Sequence, residues 1–223
     1  ANWWTNQNNF YRQVRNFVID VSQVSGSATG IHWQVAQATS LTNIVFKMAT
    51  DGRNHQGMFM ENGSGGFMSD LIFDGGKLGM WIGNQQFTFR NITVQNAQTG
   101  LNLGWNWGFT FKDLKIKNCQ LGFDMSNAAS GGQLVGSAII LDATITNVPV
   151  FIKTGTSASS NPHTSGSLIL ENIKLSGVST AIQGPHGVLL GSVSVIDSWG
   201  QGQFYTDKSG KGRFQQGHLP KPS

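Results

Sequence analysis

The sequence predicts an all-β chain wound as a right-handed parallel β-helix of about seven or eight coils. Repetition is the first sign. The stretch 58–76, MFMENGSGGFMSDLIFDGG, returns as GMWIGNQQFTFRNITVQNA at 79–97 and as GLNLGWNWGFTFKDLKIKNC at 100–119. The second is a set of apolar columns around a recurring Asn or Asp, and the third is composition. Charged residues make up 12% of the chain, with 29 Gly and 5 Pro, which suits many short strands joined by tight turns.

Taken in order, residues 1–9 hold Trp3, Trp4 and an Asn/Gln run without periodicity, read as a cap on the first coil or the remnant of a neighbouring segment. Residues 10–200 form the β-helix. Its repeats align on Asn16, Asn43, Asp70, Asn91, Asp113, Asp142 and Asn172, with Ser192 as a weaker eighth. Two positions before these anchors stand Val14, Leu41, Met68, Phe89, Phe111, Ile140 and Leu170. The positions one and three after them are apolar too, and all three columns face inward. Side chains on an unbroken strand alternate with period two, so inward positions three apart require a corner at the anchor. Asn and Asp tolerate the left-handed backbone a corner needs.

A second strand precedes each bend, at 30–33, 57–60, 79–82, 100–103 and 122–125. Its middle residues, His32, Phe59, Trp81, Asn102 and Asp124, form an outward row spaced by about 4.8 Å per coil. With two or three strands per coil, stacked copies pair in parallel, and regular hairpin signals that would favour a sandwich are absent. Ser/Asn/Gly-rich inserts at 126–132 and 153–166 are surface loops on one edge of the stack. After Trp199 the pattern stops, and 201–223 reads as an irregular exit ending in a Pro-spaced linker. The strong coil at Asn16 starts close to the first residue, so the chain reads as a piece of a larger protein.

The net charge of +4 arises from 15 basic and 11 acidic side chains. Several of the basic ones gather in the tail, and the repeats place Arg90, Lys112 and Glu171 at one equivalent position. No basic face for a nucleic acid or a membrane surface emerges. A single cysteine, Cys119, excludes an internal disulfide framework, and no His/Cys spacing suits a metal, so neither metal nor cofactor is expected. Nothing resembles a signal peptide or a membrane span.

Six residues before the anchors, Gln37, Ser64 and Gln85 fall on consecutive coils, with Gln86 beside them and Trp107 next in the column. Such amides and a hydroxyl both donate and accept, so they suit a held water or sugar hydroxyls. The same column can instead be an internal ladder bonded coil to coil, and strand parity turns it inward unless a second corner intervenes. Trp33, Phe59, Trp81, Trp105 and Trp107 recur near the bends, and flat indole faces suit stacking on pyranose rings. Trp33 and the Phe87/Phe109 pair fit core stacking equally well, whereas Trp81 is assigned outward. Among the few carboxylates, Asp70, Asp113 and Asp142 are turn formers; Glu61 and Asp124 are not explained by the repeat. His186 sits in Gly-Pro-His-Gly, superficially like the Gly-His-Gly of polygalacturonases, but the paired aspartates of that chemistry are missing.

The strings NNFYRQVRNFVID (8–20), ATGIHWQVAQATSL (28–41), ENGSGGFMSDL (61–71), GNQQFTFRN (83–91) and WNWGFTFKDL (105–114) resemble the first β-helix of glycoside hydrolase family 55, the β-1,3-glucanases. The resemblance spans 8 to about 121. It implies a secreted, inverting, exo-acting glucanase in which two β-helices lie side by side around a glucan-binding cleft. Gln37 and Ser64 match the family's water-holding Gln and Ser. Trp81, Gln85, Gln86, Trp107, Phe59 and Glu61 are then expected to contact a laminarin-like substrate. The general-acid Glu belongs to the second β-helix, so the chain alone is expected to be inactive. A non-catalytic carbohydrate-binding scaffold and a pectin-active enzyme are the alternatives.

Overall fold

The computed structural model describes residues 5–129, 132–157, 166–205, 208, 210 and 212–220. A short 3-10 turn, Asn6–Asn8, leads into strands β1 (Gln13–Asp20), β2 (Ala28–His32), β3 (Thr39–Lys47), β4 (His55–Met60) and β5 (Gly66–Asp74). Two long strands follow, β6 (Leu78–Gln95) and β7 (Thr99–Lys117), then β8 (Leu121–Met125), β9 (Ala128–Ala129), β10 (Gly132–Gln133), β11 (Ser137–Thr146) and β12 (Val150–Thr154). The last are β13 (Ser167–Ser176), β14 (Thr180–Gly184), β15 (Gly187–Leu190), β16 (Val195–Tyr205) and β17 (Gly212–His218).

These strands stack in two parallel ladders. One runs β1-β3-β5-β6-β7-β11-β13 and the other β2-β4-β6-β7-β8-β12-β14; β6 and β7 are long enough to serve both. The arrangement is all-β and consistent with the predicted β-helix. In the first ladder Val14, Leu41, Met68, Phe89, Phe111, Ile140 and Leu170 are register partners in succession, so the aligned sequence column is a physical column. Aromatic members stack because strand spacing brings their rings together. Phe46 and Phe73 lie 4.6 Å apart at 2°, and Phe89 and Phe111 lie 4.6 Å apart at 11°.

Each of the seven Asn or Asp anchors has a positive φ, from 52° at Asn91 to 63° at Asn16. Their side chains bond along the stack: Asn43 Nδ2 donates to Asn16 Oδ1 at 2.9 Å, Asn91 to Asp70 at 2.7 Å and Asn172 to Asp142 at 2.6 Å, while the Lys112 ammonium also donates to Asp142. A second ladder of this kind was not read from the sequence. Five residues after the anchors, Asn96, Asn118 and Asn147 are also left-handed, and each bonds to the residue below: Asn96 to Asp74, Asn118 to Asn96, Asn147 to Asn118. Buried His55 ties a connecting loop in place, its Nε2 donating to Val24 O at 3.0 Å and its Nδ1 accepting from Ala49 N–H at 3.2 Å.

The far end departs from the sequence reading in two ways. Ser192 opens no eighth repeat, because β16 runs antiparallel to β13. The inward positions of a repeat are spaced two, three, two, and that series reads the same in reverse. Ile196, Trp199 and Gln201 therefore continue the core opposite Ile173, Leu170 and Leu168. Gln201 Nε2, fully buried, donates to Thr154 Oγ1, Thr156 O and Gly166 O. The expected irregular exit also contains a hairpin: β17 pairs antiparallel with β16, its alternation hidden in the sequence by glycines at 200, 202, 212 and 217. Pro185 and His186 form the turn between β14 and β15, which removes the superficial likeness to a catalytic Gly-His-Gly. Cys119 is buried, as a small packed side chain. Trp3, Trp4 and most of the insert at 153–166 lie outside the described residues.

Candidate functional site

Six residues before the anchor the chain turns a further corner. In the first three repeats the residue after the column position is left-handed: Tyr11 at 55°, Ala38 at 56° and Gly65 at 106°. This breaks the strand parity that would have turned the column inward. Ala36 and Gly63 are consequently buried, while the next residues face out, Gln37 exposed and Ser64 half-buried. Gln37, Ser64 and Gln85 make no side-chain hydrogen bonds to one another among the described residues, so the internal-ladder alternative does not describe this column.

In the next two repeats buried asparagines shape the same corner. Asn84 Oδ1 accepts from Gln85 N–H at 2.8 Å and from Gly65 N–H at 3.1 Å, and its Nδ2 donates to Asn62 O at 3.2 Å. One side chain thus fixes both ends of the 62–65 turn that presents Ser64. Asn106 repeats the device one strand later, on Gly136, Ser137 and the Ser137 carbonyl. The packing at Asn84 admits only glycine at 63, where φ is 153° and a Cβ would stand 2.2 Å from Asn84 Nδ2.

Ser64 opens onto a groove of about 320 Å³ lined by Ser64, Gly65, Gly66, Gln86, Phe87, Thr88, Gly108 and Thr110. Of the expected site residues, Ser64 and Gln86 share this groove. Trp107, 64% exposed, stands on the strand beside Gln85, since Asn84 pairs with Asn106 and Gln86 with Gly108.

Glu61, Phe59 and Trp81 belong to the adjoining face. His32, Phe59, Trp81, Asn102 and Asp124 are register partners in a row. His32 and Phe59 ring centres are 5.0 Å apart, and those of Phe59 and Trp81 5.1 Å. Two glycines seat the tryptophans flat: a Cβ at Gly104 would lie 2.3 Å from the Trp81 six-membered ring, and one at Gly83 would lie 2.5 Å from the Trp105 pyrrole ring. Trp105 Nε1 also donates to Glu61 O at 2.8 Å. Glu61 Oε1 accepts from His32 Nε2 and from Gln34 Nε2, both at 3.2 Å. The 61–65 turn therefore joins the two sets, with a held carboxylate at its start and the Ser64 hydroxyl near its end.

Sequence reading missed Asn84, Gln34, Thr88, Thr110 and the bonding of His32 to Glu61. A signal for Gln34 was present, since Gln34 and Glu61 each stand nine residues before an anchor. A larger groove of about 500 Å³ lies along the anchor corner, lined by residues that include Asp70, Arg90, Asp113, Lys115 and Asp142. Arg90 pairs there with Asp113, and Lys112 with both Asp113 and Asp142, which is the work of a corner ladder. No three His, Cys, Asp or Glu side chains gather as a metal site among the described residues.

The family model described as rhamnogalacturonase A/epimerase, pectate lyase-like, matches residues 1–124. A protein of Arthroderma benhamiae named probable glucan endo-1,3-beta-glucosidase is 47% identical over 215 residues, covering 94% of this chain. Glucan 1,3-beta-glucosidase of Cochliobolus carbonum is 44% identical over 218 residues, covering 95%. Two non-secreted LysM effectors of Penicillium expansum are each 41% identical over 229 residues, covering 98%. The chain spans 24% of the Arthroderma protein's length, 28% of the Cochliobolus protein's, and 16% and 18% of the two effectors'.

Proposed function

Because the chain belongs to the rhamnogalacturonase A/epimerase, pectate lyase-like family, we propose that its ladders are the faces of a right-handed parallel β-helix and form one wall of a β-1,3-glucan-hydrolysing cleft. The observation that carries this reading is the outward presentation of Ser64 at a neutral groove, next to a face of glycine-seated tryptophans. One relative named probable glucan endo-1,3-beta-glucosidase and one named glucan 1,3-beta-glucosidase support the substrate class.

Inverting hydrolysis needs a water held on one face of the sugar and an acid that protonates the leaving oxygen on the other. Neither a Gln amide nor a Ser hydroxyl removes a proton at neutral pH. The role of Gln37 and Ser64 is to orient the attacking water through their paired donor and acceptor capacity. Trp81, Trp107, Phe59, Gln85, Gln86 and Glu61 hold the glucan, and the general acid comes from a second β-helix in a longer protein. The mode is exo and the protein is secreted, both as the family resemblance implies. In the full-length protein, Gln37→Ala with Ser64→Ala is expected to cut laminarin turnover by about two orders of magnitude with little change in KM. An unchanged rate overturns the water-holding role. Glucose as the sole early product separates exo from endo attack.

A second reading is a non-catalytic glycan-binding module, favoured by the two relatives whose names describe LysM effectors rather than hydrolases. Calorimetry of this chain with laminari-oligosaccharides, beside an activity assay of the full-length protein, divides binding from hydrolysis. Pectin-type substrates fit less well, because no Lys or Arg lines the groove to pair with a uronate.

A further inference from the structure

Asn62 and Gly63 are the one Asn-Gly pair in the sequence, and they open the turn that carries Ser64. The fold demands the glycine: its φ is 153°, and a Cβ there would collide with the Asn84 amide. Glycine is also the residue that shields its own nitrogen least, since no Cβ stands beside it. The Asn62 amide makes no hydrogen bond among the described residues, and the residue is exposed. The Gly63 N–H likewise has no acceptor among them. Asn84 Nδ2 donates instead to the Asn62 carbonyl at 3.2 Å, which draws electron density out of that peptide group and makes the Gly63 N–H a better acid. Two asparagines that precede alanine, the next smallest residue, are held differently. The Asn96 amide donates to Asp74 Oδ1 at 2.7 Å, and the Asn127 amide to Asn102 Oδ1 at 2.9 Å and Leu103 O at 2.7 Å.

We propose that Asn62 is a site of spontaneous covalent modification, deamidation through a cyclic imide with water as the co-reactant. The Gly63 nitrogen gives its proton to solvent and attacks Asn62 Cγ. As that C–N bond closes the imide ring, the bond from Cγ to Nδ2 breaks, and the amide nitrogen takes a proton from solvent and leaves as ammonia. Water then opens either C–N bond of the imide. One opening leaves aspartate at position 62. The other leaves isoaspartate, in which the backbone runs through the former side chain and is longer by a methylene. Both products bring a new carboxylate beside Glu61, whose own carboxylate is already held by His32 and Gln34. Isoaspartate also carries the carbonyl that Asn84 grips out of place, so the turn no longer presents Ser64 to its groove. On the glucan-wall reading, on which this consequence rests, the modification disables the wall irreversibly as the molecule ages.

The folded chain is incubated at neutral pH and physiological temperature and sampled by peptide mapping with fragmentation that tells isoaspartate from aspartate. Ammonia release is expected, with the mass change of deamidation accumulating at Asn62 while Asn96 and Asn127 stay intact. Laminari-oligosaccharide affinity of the isoaspartyl fraction is expected to be about tenfold below that of the fresh chain. Asn62→Gln, whose longer side chain must close a larger ring, is expected to keep both its mass and its affinity through the same incubation. The free peptide MENGSGG, residues 60–66, gives the rate without the fold. Conversion of that peptide while Asn62 in the folded chain stays intact overturns the proposal, as does modification spread evenly over the exposed asparagines. Modification at Asn62 with affinity unchanged upholds the modification site and overturns the glucan-binding part given to the 61–65 turn.

Discussion

Replacing Asn84 by Leu keeps the side-chain volume nearly constant and removes the polar end that shapes the Ser64 turn. Three hydrogen bonds disappear, at 2.8, 3.1 and 3.2 Å. The Gly65 and Gln85 N–H groups lose their acceptor beside a side chain that is fully buried. An orphaned buried donor costs about 1–3 kcal/mol, so two of them, partly offset by the added apolar contact, cost about 3 kcal/mol. At about 2–4 °C per kcal/mol for a chain of this size, Tm falls by roughly 6–12 °C. Asn106→Leu is the matched control, since its carbonyl holds Gly136 and Ser137 N–H one strand further along. Urea unfolding and amide exchange measure both variants. Equal stability losses are expected, with faster exchange at Gly65 and Gln85 in the first and at Gly136 and Ser137 in the second. Laminari-oligosaccharide affinity is expected to fall about tenfold or more in Asn84→Leu only. A loss below about 1 kcal/mol, or unchanged exchange at Gly65, refutes the role given to this side chain.

Gly104→Ala pushes a methyl into the Trp81 ring and is expected to tilt the indole off its seat, shifting tryptophan emission and weakening oligosaccharide binding about tenfold, whereas Gly26→Ala, far from any neighbouring atom, does neither. The Lys112 ammonium, and then the Asn172 amide, hold the Asp142 carboxyl below its ordinary range. A pKa lowered on folding stabilises above the unfolded value and loses that effect as pH falls through the folded one, so the stability gap between the chain and Asp142→Asn is expected to close below about pH 4 in acid titration. Burial pushes the Cys119 thiol up, so iodoacetamide is expected to leave it unmodified at pH 7 and to label it in urea.

Parallel, in-register stacking is why so much of this fold is legible in one dimension. Each repeat meets the same neighbours at the same height, so Val14, Leu41, Met68 and Phe89 are selected alike and appear as an alignable column. The anchor corners are legible for a chemical reason: seven successive left-handed residues are all Asn or Asp, side chains that tolerate that backbone, and three neighbouring pairs of them bond along the stack. The corner beside Ser64 carries no such mark. Tyr11 and Ala38 are left-handed because the fold holds them there, and neither residue type announces it. Whether Gln37 and Ser64 face in or out was therefore undetermined by local pattern. For Gln37 it was decided by the left-handed backbone at Ala38, and for Ser64 by Asn84 reaching across from another repeat and by the absence of a side chain at Gly63. The His32–Glu61 contact and the antiparallel closure by β16 are likewise tertiary outcomes, the first joining residues 29 positions apart and the second using a palindromic spacing that reads equally well in either direction. Composition and periodicity determined the stack and its core, because those depend on what every repeat shares; the direction of the candidate site was left to contacts that only a few repeats make.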